Sequence, residues 1–399
     1  MSAQLSAQRV GRVVCAAAVA AGLVTGPQAV VPRAAAVPGP GERSVTRLLT
    51  DLQELYRKAE EASETYNATE EKLKAQQAEA KKLGAELSRA RLALHDSRAA
   101  AGRLARQQYQ GDSELSPYLK LLLARDPRHA LDQSHLVRRL ATERVETVGR
   151  LVGGEKRADE LADRSRKALD TQLALAARQK KQRDQVVGRL KEVEELLAGL
   201  STDQLAELRR LEEQGMADAQ RKFMASGALS GPPAAGAGAR GRATAARVPS
   251  RAGEAALRHA VRQIGKPYVW GAEGPKAYDC SGLTSQAWAR AGRAIPRTSQ
   301  EQWARLPKVP LRELRPGDLV VYFPKATHVA IYLGDGMVVQ APRPGSRVKV
   351  SPIAANPLLG AVRPDPAAAP VPDYVPPRLP KGATEGSDLG YGEVGAPPA

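Results

Sequence analysis

Cys280 stands between Asp279 and the pair Ser281-Gly282. A thiol reacts as its thiolate, so its electrostatic surroundings decide what it can do. Asp279 is a helix-capping residue type, and Ser281 to Ala291 reads as a helix ended by Gly292. Cys280 therefore falls in a first turn, where free N–H groups and peptide dipoles favour the thiolate. His328 is the candidate base. It lies in the strand pattern Thr327 to Leu333, followed by the turn Gly334-Asp335-Gly336 and a returning strand, Met337 to Gln340. A tight hairpin brings Gln340 within one or two pair positions of His328. The spacing puts an imidazole beside an amide but does not put Cys280 beside either. Taken alone, Cys280 could equally be a small buried hydrophobe, and His328 a strand histidine.

Few other residues compete for this chemistry. The remaining histidines are His95, His129 and His135 in a helical region and His259 in a later helix, all read as non-catalytic. The second cysteine, Cys15, sits in an N-terminal segment with Arg9 and Arg12, the apolar run Val13 to Val24, and Ala34-Ala35-Ala36. That segment reads as a signal peptide over residues 1–36, which takes Cys15 with it. One remaining thiol makes no internal disulfide. With no paired-histidine spacing it also falls short of a zinc set, so no metal and no cofactor is expected.

The elements that must position these residues separate by composition. Residues 44–225 are rich in Ala, Leu, Glu, Lys, Arg and Gln, a helical composition. From Leu48, alternating steps of four and three run through Leu52, Leu55, Ala59, Ala62, Tyr66, Leu73, Ala80, Leu83, Leu87, Ala90, Leu94, Ala101 and Leu104, with only Thr69, Gln76 and Ser97 clearly polar, the coiled-coil period. Gly111 and Pro117 interrupt the run. A second helix is expected from about His129 to Leu200, with Ser201 capping a third piece through Phe223. The simplest assembly is a helical hairpin with Leu119 to Leu123 at its tip, as core filling or as a docking surface. Residues 226–250 read as a flexible linker. Residues 251–363 hold all three tryptophans and can build a core: a helix over Glu254 to Ile264, the Cys280 helix, then strands at Asp318 to Phe323, Thr327 to Leu333, Met337 to Gln340 and Val348 to Val350. Helices followed by a meander make an α+β domain. Residues 364–399, rich in Pro, Ala and Gly, read as a disordered tail.

The chain of 399 residues carries a net charge of +17, which bears on partners rather than fold. Nucleic acid, an anionic membrane or an anionic wall polymer would attract it. No nucleic-acid-binding motif is present, so no nucleic-acid partner is expected.

Five segments, in order and at matching spacing, resemble the NlpC/P60 family: Pro267 to Gly271, Asp279 to Leu283, Pro296 to Ser299, Arg315 to Leu319 and His328 to Gly334. The resemblance covers roughly residues 251 to 363. It implies a papain-like core and a secreted, cell-wall-associated cysteine endopeptidase acting on peptidoglycan stems at the D-γ-glutamyl–diamino acid bond. Carried onto this sequence, Cys280 is the nucleophile and His328 the base, acting through a thioester. The family's third polar residue is usually another histidine; here Gln340 stands there, expected to accept a hydrogen bond from Nδ1–H of His328. Tyr268 matches an oxyanion or substrate donor, Asp279 a residue meeting a substrate amine, and Arg297 and Ser299 a substrate-side segment. A catalytically silent scaffold, or a thiol acyltransferase or amidase of the same fold, are the alternatives. The helical region ahead of the domain resembles that of exported actinobacterial wall hydrolases. It is expected to occlude the Cys280 cleft, to dock on a division-associated FtsEX-type membrane complex, or to be a passive spacer.

Overall fold

The computed structural model describes residues 44–111, 127–230, 248–386 and 388. Helix α1 spans Val45–Gly111 and α2 spans Pro127–Ala198. Pro127 suits a first helical position, where its missing N–H costs nothing. The two helices run antiparallel, because contacts along α1 meet α2 in reverse order. Leu48 and Leu52 cluster with Val193. Gln179 Nε2 donates to Tyr66 Oη at 3.3 Å, and Gln76 Nε2 to the Ala168 carbonyl at 3.1 Å. Leu83 packs with Leu161, and Arg98 pairs with Glu155 at 3.0 Å. The four-three seam is the buried one: Leu48, Leu52, Ala59, Leu73, Leu83 and Leu94 all lose their exposure. The signal segment (1–36), the Leu119 to Leu123 tip and linker residues 231–247 lie outside the described residues.

Helix α3, Thr202–Ala225, starts where Ser201 and Gln204 form a reciprocal capping box. It ties the hairpin to the C-terminal domain. Gln220 Nε2 donates to the Gly336 carbonyl at 3.0 Å, and its Oε1 accepts from the Ala354 N–H at 3.2 Å.

The C-terminal domain is α+β. Its helices are α4 (Arg251–Val261), α5 (Cys280–Arg290) and α6 (Ser299–Arg305). Helix α4 begins three residues ahead of expectation because Ser250 caps it, accepting from the Gly253 N–H at 2.8 Å. The strands are β1 (Lys308–Val309), β2 (Leu319–Tyr322), β3 (His328–Gly334), β4 (Met337–Gln340), β5 (Lys349–Pro352) and β6 (Leu358–Val362). They form one antiparallel sheet in the order β1-β6-β2-β3-β4-β5. Strands β1 and β6 and helix α6 escaped the sequence reading. Strand β1 is two residues between prolines, too short to alternate, and Gly360 breaks the pattern of β6.

Both faces of the sheet are covered. Leu319, Val321, Val329 and Ile331 pack against Leu257, Leu283 and Trp288 of α4 and α5. Val320, Tyr322, Ala330 and Tyr332 pack on the other side with Ile353 and Phe223 of α3. Two-sided burial is why β2 reads as an unbroken apolar run. Residues 364–386, read as part of a disordered tail, instead lie on the domain. Asp365 pairs with Arg315 at 2.7 Å and accepts from Ser250 Oγ, and the Val350 N–H donates to the Ala383 carbonyl at 2.7 Å. The pairing of Asp365 with Arg315, a buried ion pair, holds a segment whose composition alone predicts no structure.

Candidate active site

Asp279 builds the turn that presents Cys280. Its Oδ1 accepts the Gly282 N–H at 2.6 Å, capping α5 with Cys280 as first helical residue. Gly282 is required there, since a Cβ would sit 2.2 Å from the Ala272 carbonyl oxygen. Asp279 also accepts from the Gly271 N–H at 2.9 Å. The buried Arg297 grips it with two nitrogens, Nη1 at 3.1 Å and Nη2 at 2.7 Å, and Nη1 reaches Ser281 Oγ at 2.8 Å. Asp279 raises the affinity of Arg297 for its proton. This bidentate pair joins α5 to the loop ahead of α6. Of the expected substrate-side residues, Asp279 and Arg297 thus hold each other.

His328 opens β3 and pairs across the sheet with Tyr322, its ring 5.6 Å from the tyrosine ring. Ile331 faces Val339, which puts Gln340 opposite Ala330, one side-chain repeat from His328 on the same face. The two side chains meet: His328 Nε2 lies 2.7 Å from Gln340 Oε1. The sequence reading assigned this contact to Nδ1; the structure corrects it to Nε2. Gln340 Nε2 donates in turn to Asp388 Oδ1 at 3.2 Å. A carboxylate only accepts, so the amide oxygen must face the imidazole, and Nε2 must carry the proton. Nδ1 is left with its lone pair and no hydrogen-bond partner.

The thiol is 2 % exposed, and the Val329 N–H, the peptide next to His328, bonds toward it. Tyr268, also buried, belongs to the same cluster: burial and then the nearby Cys280 push its phenol well above the usual range. Cys280 and Tyr268 are thus buried together beside the first peptide of β3, the strand that His328 opens.

Helix α1 fills the space in front of them. Glu64 Oε1 accepts from Ser281 Oγ at 2.7 Å and from the Cys280 thiol at 3.7 Å, and Oε2 accepts the Ser299 N–H at 2.9 Å. One turn earlier, Glu60 Oε1 stands 3.9 Å from His328 Nδ1. One turn later, Asn67 Nδ2 donates to Asp279 Oδ2 at 3.1 Å. The flanks of the contact are Tyr66 edge-on to Trp270 at 4.9 Å, Tyr56 under the Arg343 guanidinium, and Lys325 with Glu61 at 2.6 Å.

Electrostatically this arrangement is at rest. Burial, then the carboxylates of Glu64, Asp279 and Glu60, hold the thiol well above its ordinary range. Burial lowers His328 to about 4, with the Arg343 charge adding to it. Burial raises Glu60 to about 7 and also raises Glu64, which the nearby Asp279 charge pushes further. Within this arrangement the thiol and the imidazole are both favoured in their neutral forms.

Glu60, Glu64, Asn67 and Asp388 were not found from sequence. The first three recur at helical spacing, off the apolar seam, where acidic and amide side chains ordinarily face water. Asp388 sits in a segment of loop composition.

Residues 265–359 match the NlpC/P60 family model. A probable endopeptidase of Corynebacterium glutamicum is 44 % identical over 111 residues, covering 28 % of this chain and 53 % of that protein. The peptidoglycan endopeptidase RipA of Mycolicibacterium smegmatis is 38 % identical over 117 residues, 26 % of this chain and 24 % of that one. The chain thus spans about half, or less, of the length of these curated relatives. The crystal structure of the NlpC/p60 domain of the peptidoglycan hydrolase SagA is 35 % identical, covering 28 % of this chain and 97 % of that one, with a TM-score of 0.27. The α+β segment that carries Cys280, His328 and Gln340 is an NlpC/P60-family domain.

Proposed function

We propose that the chain is a cell-wall cysteine endopeptidase that cuts peptidoglycan stem peptides, and that the described conformation is its closed form. The observation that carries this is the thiol at a capped helix N-terminus, beside the strand that holds a His–amide pair, in a domain of this family. In the open form, His328 Nδ1 takes the Cys280 proton and the thiolate attacks the stem carbonyl, at the D-γ-glutamyl–diamino acid bond. The Cys280 N–H, free at the first helical position, and the Tyr268 hydroxyl are the donors for the oxyanion. The imidazolium then protonates the leaving amine, and water resolves the thioester. Gln340 holds the tautomer throughout. Secretion through residues 1–36 would put the enzyme where its substrate is.

The same geometry supports occlusion rather than a passive spacer. The buried ends of Glu64 and Asn67 bond to Ser281, Ser299 and Asp279, which line the space a substrate needs. Something must draw α1 away, and the FtsEX-type membrane complex implied by the helical region is the candidate, acting through the Leu119 to Leu123 tip.

Mass spectrometry of muropeptides tests this. The full chain carrying Glu60→Ala, Glu64→Ala and Asn67→Ala is incubated beside the same chain with Cys280→Ala added. New fragments split between D-glutamate and the diamino acid, present only with the cysteine, are expected. Transfer of the acyl group to an added amine instead of water would point to an acyltransferase. No new product with either chain would sink the peptidase reading in favour of a silent scaffold.

A further inference from the structure

The third member of the catalytic constellation is an amide, and an amide, unlike an ionised carboxylate, can present either an acceptor or a donor. Turned one way, Gln340 offers an oxygen to His328 and fixes the proton on Nε2. Turned the other way, it offers N–H groups, and the imidazole must face them with a bare Nε2 and carry its proton on Nδ1, where it cannot act as base toward the thiol. The sequence from 251 to 363 contains nothing that obviously sets this choice. The structure places the answer outside that span.

Asp388 is 4 % exposed. Its Oδ1 accepts from Gln340 Nε2 at 3.2 Å and from Ser351 Oγ at 2.6 Å, and its Oδ2 lies 3.4 Å from Lys349 Nζ. Lys349 also donates to the Gly386 carbonyl. The segment that delivers Asp388 is itself anchored, with Ala383 buried in the core and its carbonyl bonded to β5. Strand β5 in turn pairs Lys349 with Gln340. A carboxylate held by β5 on two sides thus faces the far end of the Gln340 amide.

We propose that Asp388 is a positioning residue for the reaction: it locks the Gln340 amide with its oxygen toward His328, and so keeps the base on Nδ1. The proposal rests on the His328–Gln340 pair being the catalytic one. Lys349 pairs with the carboxylate at 3.4 Å, and what Asp388 passes to His328 through Gln340 is orientation. Flipping the amide would set its oxygen against the Asp388 carboxylate, two acceptors with no proton between them, in a buried place where an unmade hydrogen bond goes uncompensated. The segment beyond residue 364 is on this reading part of the enzyme.

The test reads the tautomer directly and needs no substrate, so it stands or falls apart from the peptidase reading. Imidazole ¹⁵N spectra of the full chain are recorded at pH 7, with His328 assigned by comparison with His328→Gln. The wild type should show His328 as one tautomer with its proton on Nε2. Asp388→Asn keeps the volume but can donate to Gln340, and should bring in the Nδ1–H form to at least about a third of the signal. Ser351→Ala removes another bond to the same oxygen and should lower the melting temperature without moving the tautomer. On a Gln340→Ala background, Asp388→Asn should change nothing further at His328. A single Nε2–H form in folded Asp388→Asn, or an equal shift in Ser351→Ala, would overturn the proposal.

Discussion

Two stretches of α1 differ in composition and in work: Leu83 to Leu94 holds four leucines and one glutamate, Tyr56 to Asn67 three glutamates and no leucine. Between Leu83 and Leu94 the helix buries one apolar stripe against α2 and leaves its charges in water; Arg98 and Glu155 pair at 3.0 Å while both stay about half exposed. Between Tyr56 and Asn67 it buries two faces. The seam still meets α2, but Tyr56, Glu60, Ser63, Glu64 and Asn67 are buried as well, at 4 % exposure or less. The difference lies in what stands opposite. Distal charges gain little from pairing in water, whereas proximal ones are desolvated, and Glu64 and Asn67 meet partners of the C-terminal domain. A helix that only spaced two domains would have no reason to bury carboxylates against a thiol.

The sharpest way to break the comparison is to reverse one proximal charge. Glu64→Lys loses the bonds to Ser281 and Ser299 and sets a cation against Arg297. Each buried hydrogen bond contributes about 0.5–1.5 kcal/mol, so with two bonds lost and a cation beside Arg297, muropeptide turnover by the full chain should rise about 100-fold. A rate within twofold of wild type would mean that α1 does not restrain the enzyme.

The next effect is of pH. The Glu60 carboxyl sits at about 7 in the closed form and Glu64 is also raised, both from 4.5. Each binds its proton more tightly when closed. Their contribution to closure is full below about pH 4.5 and is lost as pH rises through about 7. His328, lowered from 6.5 to about 4, works in the opposite sense over pH 4 to 6.5. Two carboxyls outweigh one imidazole. Dividing the Cys280 alkylation rate of the wild type by that of Glu60→Gln/Glu64→Gln cancels the imidazole and the thiol. That ratio should rise at least about tenfold from pH 5 to pH 7; a flat ratio would show that the carboxyls do not control closure.

Asn67→Ala removes a single bond to Asp279 and should raise turnover about tenfold. Arg98→Ala, in the distal stretch, breaks an exposed pair worth roughly 0.2–1 kcal/mol. It should leave turnover unchanged and lower the melting temperature by a degree or two at most.

Much of this site could be read from sequence, and the limits are physical. Asp279 as a cap, Cys280 in a first turn, and His328 near Gln340 across a hairpin all follow from local rules of capping and register. Which ring nitrogen meets Gln340 does not, because the imidazole's rotamer sets it, and neither does the far partner of the Gln340 amide, a carboxylate 48 residues further along the chain. Glu60 and Glu64 were invisible for a related reason. On a charged helix, an acidic residue that faces water and one that faces a buried thiol have the same local sequence; only the packing of residues more than 200 positions apart separates them. Strand β1 and the anchored segment around Asp365 needed tertiary partners in the same way.

The central claim is that α1 covers the nucleophile, and reagent access to Cys280 measures it most directly. Iodoacetamide labelling of the full chain at pH 7.5, followed by peptide mass spectrometry at Cys280, is compared with the Glu60→Ala/Glu64→Ala/Asn67→Ala chain. The account predicts a wild-type rate at least about 100 times slower than that of the variant, from the lost buried bonds. Equal, rapid labelling of both chains would contradict it and leave α1 a spacer.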